Sequence, residues 1–447
     1  MGRVSKVQRI HSLIAVGALA ACLALSLTGC STYATRSVSE NTVALNLSQK
    51  EIPESELVDV RIEIFDPGSL PESEDLARGL SDEIRNAEAH FIPAHLKTTL
   101  QRSGYWGAVR VVPASTMGAE VVVTGKIVES DGEILTLEIG ARDARGVQWF
   151  QKTFEQVADS SGYTRTANNG DEVFQSLYNE IANEIALHMD RLSPRERKAI
   201  RQTAELRFAN ELAPSVFSGY LFGGEPAPGA SAGAGQDIAS LFTSFQPEPT
   251  VPKEYQVVRL PAHDDPMISR VRRIRGRDYL LVDTLDEQYD GVYRDMKDPY
   301  TAWRESRLNE INTIREVDRK ANEKAAIGVA TIVIGILAGA AINNNSSSNN
   351  NVGSSVAGSI AATAASIGVQ QLAAASSTRE EASLNLAAMT ESGESFAANV
   401  EPFITEVEGE TVQLTGTAAG KYAQWRDVLK RIHEREMGLP EARANQL

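Results

Sequence analysis

Apolar and polar residues alternate in the stretch from Leu57 to Phe65. A period of two is typical of a strand that buries one face, and the turn-forming run from Asp66 to Gly68 follows it. Farther along the chain, apolar residues recur at intervals of three and four between Ile84 and Leu100, which predicts an amphipathic helix. Pro93 predicts a kink in this helix or the start of its second half, and Gly104 predicts its end.

Four later stretches have the pattern of strands, namely Val109 to Val112, Glu120 to Val128, Ile134 to Arg142 and Val147 to Glu155. Turn sequences that end at Gly132 and Gly146 separate the last three, so we predict an antiparallel meander. A helix with apolar residues from Val173 to Leu192 follows. Residues 54–193 are therefore predicted to be an α+β domain, a small mixed sheet with flanking helices.

The composition changes after this domain. Residues 194–212 are rich in charges and predict one more helix, whereas residues 213–252 are rich in Gly, Pro, Ala and Ser and predict a linker. Within the linker, Gly229 to Gly233 has the spacing of a nucleophile elbow. That chemistry requires a strand before the serine and a helix after it, and the sequence predicts neither, so we expect no catalytic serine here.

Helical spacing returns between Asp264 and Lys324, with a break at Asp298 and Pro299. The break predicts two helices, which we interpret as a long helical hairpin over residues 253–324 or as an oligomeric coiled-coil stalk. The region also carries a dense basic cluster, made of Arg270, Arg272, Arg273, Arg275 and Arg277. Two hypotheses fit this cluster: it binds lipid phosphates, or it is a solvated helix face that pairs with nearby acidic residues, namely Asp283, Asp286 and Glu287.

Residues 325–376 predict a glycine-rich apolar hairpin. Its first arm, Ala325 to Ile342, has no charged residue and would be about 27 Å long as a helix, enough to cross a hydrocarbon layer. Glycines on one side of a helix let another backbone approach closely, so Gly328, Gly335 and Gly339 are predicted to contact a membrane or a neighbouring subunit.

The second arm, from Val352 to Ala375, carries one polar stripe on an otherwise apolar helix. The members of this stripe are Ser355, Ser359, Thr363, Ser366 and Gln370. One hypothesis makes them pore-lining residues, with the first arm facing lipid. The alternative is that the hairpin is buried in a periplasmic bundle or on a neighbouring subunit.

The last part of the chain, residues 380–440, predicts a small αββα module. A helix is predicted up to about Val400, followed by two strands joined by a tight turn at Gly409 and a helix that ends near Met437.

The first 29 residues have the pattern of a signal peptide, with a basic head, an apolar run and small residues. The sequence Leu27-Thr28-Gly29-Cys30 that closes it resembles the lipobox of bacterial lipoproteins. This resemblance implies cleavage after Gly29 and a covalent lipid on Cys30, and Ser31 favours the outer membrane because inner-membrane retention is associated with aspartate at this place. Residues 30–53 are rich in Ser, Thr and Asn and predict a tether.

Composition narrows the possible chemistry. The chain has 447 residues and two cysteines, of which Cys22 lies in the predicted signal, so a mature chain would keep no free thiol. The formal net charge of -15 disfavours nucleic acid and anionic lipid head groups as general partners. His90 and His95 are five residues apart, which does not place them on one helix face for a shared metal. We therefore predict no catalytic residue, no metal site and no cofactor besides the lipid.

The predicted α+β domain resembles a periplasmic domain shared by curli-secretion channel (CsgG-like) lipoproteins, synthase-activator lipoproteins and TolB amino-terminal domains. The residues that carry this resemblance are Ile92-Pro93, Leu100 to Gly104, Ala108 to Pro113, Val122 to Gly125, Asp131-Gly132 and Asp143. It implies a role in the bacterial envelope. The sequence lacks the long alternating inserts that would form the transmembrane β-hairpins of the curli channel.

Together these patterns lead us to expect a non-catalytic outer-membrane lipoprotein that faces the periplasm and forms a homo-oligomer. Its expected role is that of a scaffold or of an assembly or export factor. Two other functions fit the same sequence: a translocation pore built from residues 325–371, and an activator of a cell-wall synthase.

Overall fold

The fold is described from a computed structural model of the chain. It describes residues 33–38, 43–70, 80–114, 116–158, 162–163, 172–223, 254–262, 264–326, 403–407 and 410–437.

A mixed sheet lies at the centre of the described residues. Its strands are β1 (Tyr33–Val38), β2 (Val60–Glu63), β3 (Val109–Val112), β4 (Val121–Ser130), β5 (Ile134–Asp143) and β6 (Gln148–Val157). They are arranged in the order β1-β6-β5-β4-β2-β3. The strands β4, β5 and β6 form the predicted antiparallel meander. The short strand β3 does not join the meander, because it pairs in parallel with β2, which also pairs in parallel with β4.

Two helices pack on this sheet, α1 (Asp82–Ser103) and α2 (Gln175–Arg191). The side chain of Ser81 caps the start of α1, and Gly104 ends it in a left-handed conformation with φ of 73°. Pro93 lies inside α1, which is a single helix. Apolar side chains of the sheet and of both helices share one core, so the predicted α+β class is confirmed.

The charged helix predicted for residues 194–212 is also present, as α3 (Pro194–Leu212), with a capping box between Ser193 and Glu196. The predicted linker was wrong in its first part. A short helix α4 (Pro214–Phe217) follows at once, and strand β7 (Leu221–Phe222) pairs with β8 (Gln256–Val257). Phe217 is fully buried, and its packing explains why a helix forms in a segment rich in small residues. The pattern from Gly229 to Gly233 lies outside the described residues.

The helical hairpin predicted for residues 253–324 was wrong. The chain forms one helix, α5 (Pro266–Ala326), and Pro299 lies inside it. A proline in a helix interior costs about 3 kcal/mol. Here the buried side chains of Met296 and Tyr300 flank Pro299 on either side, and their packing in the core offsets that cost.

At the carboxyl end, strands β9 (Phe403–Val407) and β10 (Glu410–Leu414) pair in antiparallel fashion, and helix α6 (Ala418–Glu436) follows, as predicted. The first helix of the predicted αββα module lies outside the described residues. The described part is not a separate module, because its apolar residues share a second core with α3, α4 and the first half of α5. The phenol oxygen of Tyr422, on α6, accepts a hydrogen bond from the Met117 amide, 2.9 Å away.

The tether predicted for residues 30–53 was also wrong over its described part. Strand β1 lies parallel to β6 at the edge of the sheet, and the chain then returns along α2. Asn179 donates a hydrogen bond to the carbonyl oxygen of Val43, and Asn183 donates to that of Ala44. Side-chain amides of α2 therefore satisfy backbone carbonyl groups in a segment whose composition predicts a flexible chain.

Gly132 should be more sensitive to substitution than other glycines of similar conformation. It has φ of 93°, and a Cβ atom there would lie 2.6 Å from the carbonyl oxygen of Arg304 on α5. Gly416 has φ of 92° with no atom within 4 Å of such a Cβ. We expect Gly416→Ala to cost about 1–2 kcal/mol of unfolding free energy. Gly132→Ala should cost clearly more, because it also displaces α5; equal costs in chemical denaturation would contradict this contact.

Candidate functional site

Most of the site residues predicted from the sequence lie outside the described residues. This holds for Cys30, for Gly328, Gly335 and Gly339, and for the polar stripe from Ser355 to Gln370. Their predicted roles stay predictions. The candidate site that the structure itself defines is the seat of helix α5, where two clusters of charged and polar side chains are buried between this helix and the α+β body.

The first cluster is centred on Arg304, which projects from α5 and is fully buried. Its guanidinium forms an ion pair with Glu172, in the segment that leads into α2. The guanidinium carbon also lies 4.1 Å from the ring centre of Tyr300 and 5.2 Å from that of Phe174. A desolvated cation is thus held by one carboxylate and two aromatic faces. Burial disfavours the charge of Glu172, but the nearby charge of Arg304 lowers its pKa below the ordinary value.

Glu88, on α1, is the second buried acid of this cluster. Its Oε1 accepts hydrogen bonds from the hydroxyl of Tyr300, 2.7 Å away on α5, and from that of Ser130, at the end of β4. Burial raises the pKa of Glu88, and the charge of Arg85 opposes this shift. The carboxyl group therefore joins α1, β4 and α5 through one buried atom.

His95 is hydrogen-bonded through both of its ring nitrogens. Its Nε2 donates to Oε1 of Gln175 at 2.9 Å, so its Nδ1 accepts from the hydroxyl of Tyr293, 2.7 Å away on α5. Burial lowers the pKa of His95, so the ring is neutral at pH 7. Since both ring nitrogens are hydrogen-bonded within the protein, the histidine positions α5 and is not poised as a base or a metal ligand. Indeed, no group of three or more potential metal ligands occurs in the described part of the chain.

The second cluster lies about seven helical turns earlier on α5 and is centred on Asp278. Nη2 of Arg61, on β2, lies 3.7 Å from Oδ2 of Asp278, too far for a hydrogen bond, while Nη1 of Arg61 donates to the Met117 carbonyl. The side chain of Tyr422, on α6, also faces this carboxyl group. Burial raises the pKa of Asp278 to about 6, although the charges of Arg61 and Arg275 oppose the shift.

Between the two clusters, acidic residues of α5 bind the edge of the body. Asp286 accepts from the backbone amide of Val111 at 2.7 Å, so it satisfies the free edge of strand β3. Lys97, on α1, lies 2.7 Å from a carboxylate oxygen of both Asp286 and Asp290. Asp283 pairs with Arg110 of β3. These contacts continue the seat of α5 along the whole side of the body.

The basic cluster at the start of α5 also faces the protein. Arg272 pairs with Glu205 of α3, while Arg270 and Arg273 both pair with Glu436 of α6. Arg275 donates to the carbonyl oxygen of Gly118. The predicted pairing with Asp283, Asp286 and Glu287 was therefore wrong for these four arginines, because their partners come from other helices and loops. The lipid hypothesis remains a prediction.

The buried charged and polar side chains of these two clusters fix helix α5 on the α+β body, and we call them the α5 lock. Its acids, arginines and tyrosines bind one another, and they connect β2, β4, α1 and the segment before α2 to one long helix. Sequence reasoning missed these residues because buried charges look like solvated ones in a linear pattern. One signal was present: Tyr300, Trp303 and Arg304 share the helical spacing of the apolar residues around them.

Comparison with known proteins adds no identity to this picture. No protein-family model, curated protein or solved structure matches this chain. Among the helices that the structure describes, none has a stretch long and apolar enough to traverse a lipid bilayer.

The lock predicts unequal roles for two arginines of the same helix. We expect Arg304→Met to lower the unfolding free energy by about 3–5 kcal/mol, because it leaves the buried carboxylate of Glu172 without its partner. Arg273→Met is the matched control, since Arg273 is 64% exposed and its pair should contribute at most about 1 kcal/mol. Chemical denaturation measures both, and similar losses would argue against the lock.

Asp278 predicts a specific pH dependence. Its pKa of about 6 lies above the ordinary 3.8, so the folded state binds this proton more tightly, and that stabilisation is lost as the pH rises through about 6. Between about pH 5 and about pH 8, this loss lowers the unfolding free energy of the wild type by about 1–2 kcal/mol. Asp278→Asn should remove this part of the pH dependence. At about pH 8 the variant should be more stable than the wild type. Parallel stability curves for the two proteins would show that Asp278 does not titrate in this way.

Proposed function

We propose that this protein is a non-catalytic lipoprotein of the outer membrane that faces the periplasm and acts as an oligomeric scaffold or as an assembly or export factor. The proposed anchor is a lipid on Cys30, and it is supported by the lipobox-like sequence that follows a basic head and an apolar run. The likeness of the α+β domain to envelope lipoproteins supports the same compartment.

The observation that carries the scaffold role is helix α5. With 61 residues it is about 90 Å long, far longer than the sheet it packs against. After Arg304 it continues for 22 more residues, or about 33 Å, to Ala326. A long helix that is fixed to the body by buried charges is suited to hold the segment that follows it at a set distance.

The sequence that follows supports self-association as the use of this helix. The apolar stretch from Ala325 to Ile342 continues the chain directly from the end of α5. Its small residues, Gly328, Gly335 and Gly339, are of the type that brings helices into close contact. In this proposal they contact a second copy of the chain, and several bodies are thereby held together around a shared helical centre.

The anchor is tested by two cysteine substitutions. Cys30→Ala is expected to release the mature chain from the membrane fraction into the soluble periplasmic fraction, because it removes the acceptor of the lipid. Cys22→Ala is the matched control, since this cysteine lies in the predicted signal and its loss should leave membrane retention unchanged. Cell fractionation with immunoblotting measures both, and retention of the Cys30→Ala chain would contradict the anchor.

The same membrane preparation tests the oligomer. The acylated chain, extracted in mild detergent, is expected to have a mass in light scattering that is a multiple of the mass of the chain from Cys30 onward. A monomer at every concentration would contradict the scaffold role while leaving the anchor intact.

A further inference from the structure

The start of strand β1 fixes where a lipid on Cys30 can lie. Tyr33 is the first residue of β1 and lies opposite Lys152 of β6. Three peptide units separate Cys30 from Tyr33, so their Cα atoms can be at most about 11 Å apart, whatever path the residues between them take. The chain after β1 is fixed as well, because the backbone of Val43 and Ala44 is hydrogen-bonded to α2. A lipid on Cys30 would therefore hold the body close to the bilayer.

The pairing of β1 with β6 also shows which end of the sheet would lie near a lipid on Cys30. Strands β1 and β6 are parallel, so the chain that precedes Tyr33 enters from the end of the sheet where β6 begins. That end carries the turn between β5 and β6. The carbonyl oxygen of Arg145, in this turn, accepts a hydrogen bond from the amide of Tyr255 at 2.6 Å. Tyr255 leads directly into β8, so the small ribbon of β7 and β8 is attached at the end of the sheet that lies near the anchor.

This ribbon exposes large apolar side chains. Leu221 and Val257 are partly buried against the second core. Next to each of them along the chain, Phe222 is 71% exposed and Val258 is 63% exposed, and Leu260 is 52% exposed. Arg259 lies between the last two, with its guanidinium carbon 4.4 Å from the ring centre of Tyr220. Apolar side chains beside an arginine that rests on an aromatic ring suit the boundary between acyl chains and phosphate groups.

We propose that the exposed face of the β7–β8 ribbon, formed by Phe222, Val258 and Leu260, lies in the surface of the bilayer that holds the lipid of Cys30. The proposal rests on the acylation proposed above. It adds a second contact with the membrane, and two contacts orient the body where a single lipid would leave it free to rotate. The carboxylate of Glu254 is the charged group in this ribbon that opposes contact with anionic lipid.

The opposite end of the sheet provides a matched control. Val128 lies near the end of β4, next to the turn that contacts Arg304, and it is 49% exposed. It has the same side chain as Val258 and a similar exposure. If the ribbon meets the membrane, Val128 faces away from it, because the β4–β5 turn and the β5–β6 turn lie at opposite ends of β5.

The experiment uses the full-length acylated chain with one labelled cysteine. Phe222→Cys, Val258→Cys and Val128→Cys are each coupled to an environment-sensitive fluorophore and reconstituted into vesicles of phosphatidylethanolamine and phosphatidylglycerol with brominated acyl chains. The labels at 222 and 258 should lose most of their emission relative to unbrominated vesicles and shift to shorter wavelength. The label at 128 should change little.

Mass spectrometry of Cys30 separates the two ways in which this test can fail. An acylated, vesicle-bound chain whose labels at 222 and 258 behave like the label at 128 would overturn the membrane-facing ribbon and leave the proposed anchor standing. A chain with no acyl group on Cys30 would overturn the anchor and, with it, the ribbon's proposed occupant. Quenching at all three positions would also overturn the proposed orientation.

Discussion

The structure depends on the burial of the guanidinium of Arg304. A buried cation needs a compensating charge, and here the carboxylate of Glu172 pairs with it while the rings of Tyr300 and Phe174 lie against it. These partners come from α5 itself and from the segment that leads into α2. The carbonyl oxygen of the same arginine lies against Gly132, in the β4–β5 turn. The position of one residue thus sets the rotation and the register of a helix about 90 Å long, as an apolar contact alone would not.

A second consequence follows from the spacing of the charged contacts along α5. Asp278, Asp286 and Arg304 meet different parts of the body, namely β2, the edge of β3 and the segment before α2. A helix held at three separated places cannot slide by one turn without exposing several unpaired charges at once. The polar contacts therefore specify one alignment, while the apolar side chains of the two cores supply most of the favourable burial.

Much of the α+β part was predictable because local sequence determines it. The alternation around Ile62, the turns at Gly132 and Gly146 and the stop at Gly104 each follow from one stretch of chain. The failures share a different cause. Pro299 breaks a helix in isolation, and residues 30–53 lack a sustained apolar period. Packing of Met296 and Tyr300 and hydrogen bonds from Asn179 and Asn183 override those local tendencies. Likewise, nothing local to Glu172 reveals that its partner lies more than a hundred residues away.

The direction of α5 has a consequence for how far the molecule can reach. Its first turns lie beside Gly118 and Glu120, near the start of β4, and Arg304 lies beside the turn that follows β4. From Arg275 to Ala326 the helix rises about 75 Å. The part of α5 that follows Arg304 therefore begins at the end of the sheet opposite the one from which the chain enters β1, while α6 packs beside the first half of α5.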